Sequence, residues 1–174
     1  MTPSVLIASF TDISRDPRAM KQVRAALEVG DVTTCSFGPS PHPDVSHIAL
    51  NPEAPVLGGR IKVLLNDLAP KVEAFPWIFH NMPYVAQARK ALRGRSFDAA
   101  IANNGDAAKL VRRLVEPGAL HVDLHEYFPG LVFNDGSTEA RRQQRYLNWL
   151  HNTAVSGVAS TTVVSPGIAQ RYAS

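Results

Sequence analysis

Residues 4–37 read SVLIASFTDISRDPRAMKQVRAALEVGDVTTCSF, and their punctuation decides the fold. Ser4 to Phe10 is a short apolar, β-rich run of the buried-strand kind. Asp16 can cap a helix, Pro17 suits its first position and Gly30 its stop. Met20, Val23 and Leu27 fall on one face of that helix. Val32 to Phe37 reads as a second strand. Strand, helix and strand with short joins form a βαβ unit, which implies parallel pairing and a right-handed crossover.

The alternation continues along the chain. His47 to Leu50 is a third strand after the Pro-rich link Gly38 to Asp44. Ile61, Leu64, Leu65 and Leu68 outline a helix that must end or kink near Pro70. Phe75 to Tyr84 (FPWIFHNMPY) is aromatic and broken by prolines, and Tyr84 to Leu92 is helical again. Phe97 to Asn104 is a fourth strand, Asp106 to Val115 a helix, and Ala119 to Leu124 a fifth strand. Glu139 to about Ala154 is a longer helix. Thr161 to Ser165 is a sixth strand, after which a turn or helix begins. The pattern predicts an α/β fold with a doubly wound parallel, Rossmann-like sheet.

Composition sets bounds on function. The 174 residues are 45% hydrophobic and 19% charged, as in an ordinary globular chain. With 18 basic and 15 acidic residues the net charge is +3, too small to argue for nucleic acid. No apolar segment approaches the ~18 residues of a membrane span, and the N-terminus lacks a signal-peptide pattern. The expected location is cytoplasmic. The single cysteine, Cys35, sits in an apolar stretch and reads as a small buried hydrophobe.

In doubly wound sheets ligands bind beyond the carboxyl ends of the strands. Polar residues gather there: Thr11 and Asp12, Asn103 to Asp106, His125 and Glu126, and Ser165. The first strand–helix turn, SFTDISRDPR, has no glycine to admit a pyrophosphate, and there is no P-loop, so a dinucleotide or ATP site of the usual kind is not expected. His121, Asp123 and His125 alternate on one strand and project to one face, with ~6.5–7 Å between neighbours. Such a trio can chelate zinc. The competing reading is a covered strand in which Asp123 is a buried carboxylate that needs hydrogen-bond donors. His125 can donate or accept a proton near neutrality, or it can simply order the loop from Glu126 to Thr138. Arg15, Arg18, Lys21 and Arg24 can meet a phosphate or an acidic sugar, or form a solvated helix face. The run Phe75, Trp77, Phe79 and Tyr84 is core packing, an acceptor wall, or a membrane-touching edge helped by Lys71, Arg89, Lys90 and Arg93. Arg141, Arg142 and Arg145 read as a solvated face.

Four ordered segments resemble the N-terminal domain of GT-B glycosyltransferases of family 4: DPRAMKQVRAALEVGDVTTCSF, FDAAIANNGDAAKL, VDLHEYFP and ASTTVVSPGIAQRY. The resemblance implies the acceptor-binding half of a retaining, nucleotide-sugar-dependent enzyme of cell-envelope glycan or glycolipid synthesis. Residues 1–174 would form that half. The C-terminal donor-binding domain would lie outside this chain, which alone would be inactive. No cofactor and no metal are implied, since the nucleotide sugar is a co-substrate held mainly by the other domain. The implied partners are that domain and a sugar or glycolipid acceptor, with peripheral contact at the inner face of the membrane and no nucleic acid. The family's histidine falls on His125, expected to contact the donor sugar near the reacting carbon. Glu126, Asp106, Asn104, Asp12 and Arg18 are the substrate-binding candidates. The loop FTDISRDP lacks the glycines of many relatives, Asp31 stands where a histidine is common, and ANNGD replaces a histidine-containing segment. A sugar-nucleotide epimerase half and a stand-alone carbohydrate-binding or subunit-docking module are the other open readings.

Overall fold

A computed structural model of the chain describes residues 2–54, 68–131 and 135–173. Strand β1 spans Ser4–Asp12, with Val5 to Ser9 buried without a break, as a strand covered on both faces must be. A 3-10 turn, Ile13–Arg15, leads to helix α1, Pro17–Leu27. Asp16 caps α1 by accepting hydrogen bonds from the Arg18 and Ala19 amides, and Pro17 opens it. Gly30 ends the connection because nothing larger fits. A Cβ there would lie 2.2 Å from the Pro3 carbonyl oxygen. Strand β2, Asp31–Phe37, then pairs in parallel with β1, from Ser4 opposite Asp31 to Ala8 opposite Cys35.

Strand β3 is Ser46–Leu50. The expected helix over Ile61, Leu64 and Leu65 lies outside the described residues. The aromatic run resolves into two helices, α2 at Phe75–Asn81 and α3 at Pro83–Ala91, with Pro76 and Pro83 in their first turns. β4 (Ala99–Asn103) runs directly into α4 (Asn104–Val111), and β5 (Leu120–Leu124) follows. α5 (Thr138–Val155), β6 (Ser160–Val163) and α6 (Pro166–Ala173) complete the described chain. The sheet is all parallel in the order β3-β2-β1-β4-β5-β6. The expected α/β, doubly wound, Rossmann-like fold is what the chain adopts.

The two faces are covered unequally. On one, α2 to α5 bury a large core that includes Leu6, Phe79, Val85, Val111, Val122 and Leu150. On the other, a smaller core joins Val5, Ile7 and Ile13 to Ala19, Val23 and Ala26 of α1. Among the described residues α1 is the helix on this second face, and it does not extend over β6, where Ser160 and Thr162 are exposed. The expectation of a covered strand thus holds at Asp123, which is buried, but not at His121, which is only half-buried. Cys35 is buried, and burial pushes its thiol up to about 12, so it is an inert core residue. Among the described residues no helix is long and apolar enough to cross a membrane.

Candidate functional site

The carboxyl ends of β1, β4 and β5 are adjacent in the sheet, and the loops that leave them build one cluster around His125. The backbone amide of His125 donates to Asn104 Oδ1 at 2.9 Å. Asn104 is the first residue of α4 and has φ +74°, the left-handed region that a non-glycine residue enters only where its surroundings hold it. The imidazole lies between two carboxylates. Its Nδ1 is 3.7 Å from Asp16 Oδ2, and its Nε2 is 3.4 Å from Asp123 Oδ2. Neither contact is an aligned hydrogen bond, and Nε2 is buried with no hydrogen-bond partner. The side chain is 20% exposed. Asp16 thus acts twice: Oδ1 caps α1, while Oδ2 faces the ring.

Asp123 is the anchor of the cluster. It is 1% exposed, and four donors surround it. Arg18 Nε and Nη2 form a fork on its two oxygens. Gln22 Nε2 donates at 2.7 Å and the Thr162 hydroxyl at 2.6 Å. Burial opposes ionisation of this carboxyl. The Arg18 fork, Thr162 and the charge of His125 outweigh it and hold the group below the usual carboxylate range. Gln22 also accepts from Asn103 Nδ2 at 3.0 Å, which leaves Asn103 Oδ1 buried and unpartnered. His121 turns away, its Nδ1 2.8 Å from Ser160 Oγ and its Nε2 3.2 Å from Thr162 Oγ1. The requirement that a buried Asp123 find donors is thus met by side chains from α1 and β6. Among the described residues no group of three or more His, Cys, Asp or Glu is disposed to hold a metal.

The remaining site candidates are placed as follows. Arg18 is not a free cation, because its guanidinium is committed to Asp123. Asp12 accepts from the Ser14 amide and hydroxyl and pairs with Arg15 at 3.3 Å, so it organises the turn after β1. It also crowds Gly38, whose φ is +79° and whose added Cβ would meet Asp12 Oδ1 at 2.4 Å. Glu126 is exposed, and its carbonyl accepts from the Tyr172 hydroxyl at 2.7 Å. The same hydroxyl accepts from the Phe128 amide, so α6 fixes the loop that follows His125. Asp106, two residues after Asn104, sits in the first turn of α4. Burial pushes its carboxyl up to about 6, although its own amide and that of Ala107 favour the charged form. Tyr84 and Tyr146 feel its charge, and both phenols are pushed up, chiefly by burial. Tyr84 packs on Phe10 and Phe37, with ring centroids 4.6 and 5.7 Å away. Asp106 therefore stands beside an aromatic wall at the same edge of the sheet.

Asp16, Gln22 and Thr162 join the cluster, although sequence reasoning does not single them out as site residues. Gln22 had a legible signal: it lies four residues after Arg18, on the same helix face. Thr162 had none, because its place depends on the β5–β6 register, in which it lies opposite Asp123. The sequence matches no protein-family model and no curated protein.

Proposed function

We propose that the chain is the acceptor-side domain of a retaining, nucleotide-sugar-dependent glycosyltransferase of the family 4 type, working in cell-envelope glycan or glycolipid synthesis. In this reading a second α/β domain holds most of the donor and faces the carboxyl edge of the sheet. The observation that carries the reading is the setting of His125. A nearly buried imidazole with no aligned hydrogen bond sits at the strand ends where this fold binds ligands, on a backbone fixed by Asn104. The four ordered segments that resemble family 4 supply the class of reaction.

In the transfer, an acceptor hydroxyl oxygen replaces the nucleotide phosphate oxygen on the anomeric carbon. The nucleotide leaves with the bonding pair, and the hydroxyl proton goes to the leaving phosphate. His125 offers a ring N–H to the donor sugar as charge develops, a contact most useful if it strengthens in the transition state. Asp123 and Asp16 flank the ring with negative charge, and Arg18 keeps Asp123 ionised. Asp106, its carboxyl pushed up to about 6 by burial and its charge felt by Tyr84, can accept a hydrogen bond from an acceptor hydroxyl or donate one.

Titration of the isotope-labelled chain with nucleotide sugars and with short glycan acceptors tests this reading. Acceptors should shift the amide resonances of Asn104, Asp106 and His125, and nucleotide sugars should bind far more weakly. Tight nucleotide-sugar binding with no response to any acceptor would favour the epimerase. Glycan binding that leaves Asn104, Asp106 and His125 unmoved would favour a carbohydrate-binding module. Either result overturns the proposal.

A further inference from the structure

A cavity lies in the helical layer, away from the cluster around His125. It has a volume of about 640 Å³ and is walled by α2, α3, α4 and α5. In a parallel sheet the crossover helices run back toward the amino ends of the strands. Arg89, Arg112, Arg113 and Asn152 stand in or just past the last turns of α3, α4 and α5, so the cavity opens toward the end of the molecule opposite the strand carboxyl ends.

Its charge is one-sided. Arg89, Lys109, Arg112 and Arg113 line it together with His80, and among the described residues no acidic one does. Arg112 is structural. Its guanidinium donates to the carbonyls of Thr153, Ala154 and Ser156, which closes the end of α5. Lys109 lies 4.8 Å from the centroid of the Trp149 ring. Among the described residues neither Arg89, Lys109 nor Arg113 has a carboxylate within salt-bridge distance. His80 Nδ1 is buried without a hydrogen-bond partner. The charged groups that act on His80 are Arg89, Arg113 and Lys109, all cationic. With burial as the larger cause, they lower its pKa. Lys109 is lowered in the same way, by burial and then by Arg112 and Arg113. Such an arrangement stores unbalanced positive potential in a concave, partly desolvated site, where an anion is attracted more strongly than on an open surface.

We infer that this cavity binds a ligand bearing two or more phosphate groups, with Arg89 and Arg113 as its charged contacts and Trp149 as an apolar wall. The volume falls in the range of small-ligand sites. Two guanidiniums facing one cavity fit a pyrophosphate or bisphosphate better than a single charge. The phosphates can belong to a soluble metabolite or to a lipid headgroup, and the chemistry is shared.

The test uses the 174-residue chain at low salt. Inorganic pyrophosphate is titrated while the Trp149 indole and His80 ring resonances are followed by NMR. In parallel, co-sedimentation is measured with phosphatidylcholine vesicles with and without cardiolipin. The comparison is the double variant Arg89→Gln/Arg113→Gln, whose two positions are exposed and leave the Arg112 cap intact. Saturable pyrophosphate binding should move both resonances and raise the pH at which His80 titrates. The variant should weaken it on the order of tenfold or more, as the loss of two charge-assisted contacts requires. Sedimentation only with cardiolipin, whose headgroup carries two phosphates, lost in the variant, would assign the phosphates to a lipid. The inference fails if neither probe binds, or if binding is the same in the variant. It does not depend on the sugar-transfer reading, because its residues are distinct from those around His125.

Discussion

Arg18 and Asp123 are 105 residues apart in sequence and are joined by a fork of two hydrogen bonds. A carboxylate 1% exposed is stabilised by its partners or not at all. Arg18→Ala should therefore cost about 2–3 kcal/mol at pH 7, below the ~3–5 of a fully buried pair because the guanidinium end reaches solvent. Arg18→Lys should recover only part, since an ammonium cannot form the fork. The folded-state pKa of Asp123 is depressed, so its contribution is complete above the ordinary carboxylate range near ~4 and is lost as pH falls through the lower folded value. Urea unfolding should show the gap between Arg18→Ala and the parent narrowing as pH drops below about 4. Asp106 has the opposite sign. Its pKa is raised to about 6, so its protonated form favours folding; that contribution is complete below ~4 and is lost as pH rises through 6. Asp106→Asn should be near neutral at pH 4 and stabilise by on the order of 2 kcal/mol at pH 8. Equal effects at both pH values would show that Asp106 is not held protonated. Of these residues, Asp106, Asn104 and His125 could be placed at strand ends from sequence. The partner of Asp123 could not, because nothing local in VDLHEY specifies a residue on α1.

At the scale of elements, local signals were strong where the chain terminates its own structure. Asp16, Pro17 and Gly30 marked α1 correctly because capping, φ restriction and close approach act within a few residues. Gly30→Ala should destabilise by about 1–3 kcal/mol, since the new methyl meets backbone at Pro3 that cannot swing away. A thermal melt unchanged by this substitution would show that β1 and the α1–β2 turn can separate at no cost. The aromatic run was legible as Pro-broken but not as two helices, and its burial divides by residue: Phe79 is fully buried, while Trp77 is 38% exposed. Ends of elements were less legible. α4 begins two residues earlier than the Asp106 start, because Asn104 enters it through a left-handed φ, which asparagine tolerates better than most residues but does not dictate.

At the scale of the molecule, the alternating pattern was enough to define the parallel sheet. It was not enough to define its coverage, which depends on which crossover passes over which face. Two consequences follow from the unequal layers. The α1 face holds the His125 cluster and leaves β6 open, and the thicker helical face holds the cationic cavity. The sheet thus presents polar chemistry at two separate places, one at the strand carboxyl ends and one among helix C-termini. The proposed transfer reaction concerns the first.

The proposed role of His125 is to stabilise sugar transfer. The rate of transfer from a nucleotide sugar to an acceptor, measured with the chain joined to the donor-binding domain proposed for it, parent against His125→Ala, tests this most directly. With that role, His125→Ala lowers kcat on the order of a hundredfold or more, with the circular dichroism spectrum and melting temperature unchanged. Transfer within a few-fold of the parent would make His125 a loop-ordering residue and contradict the account.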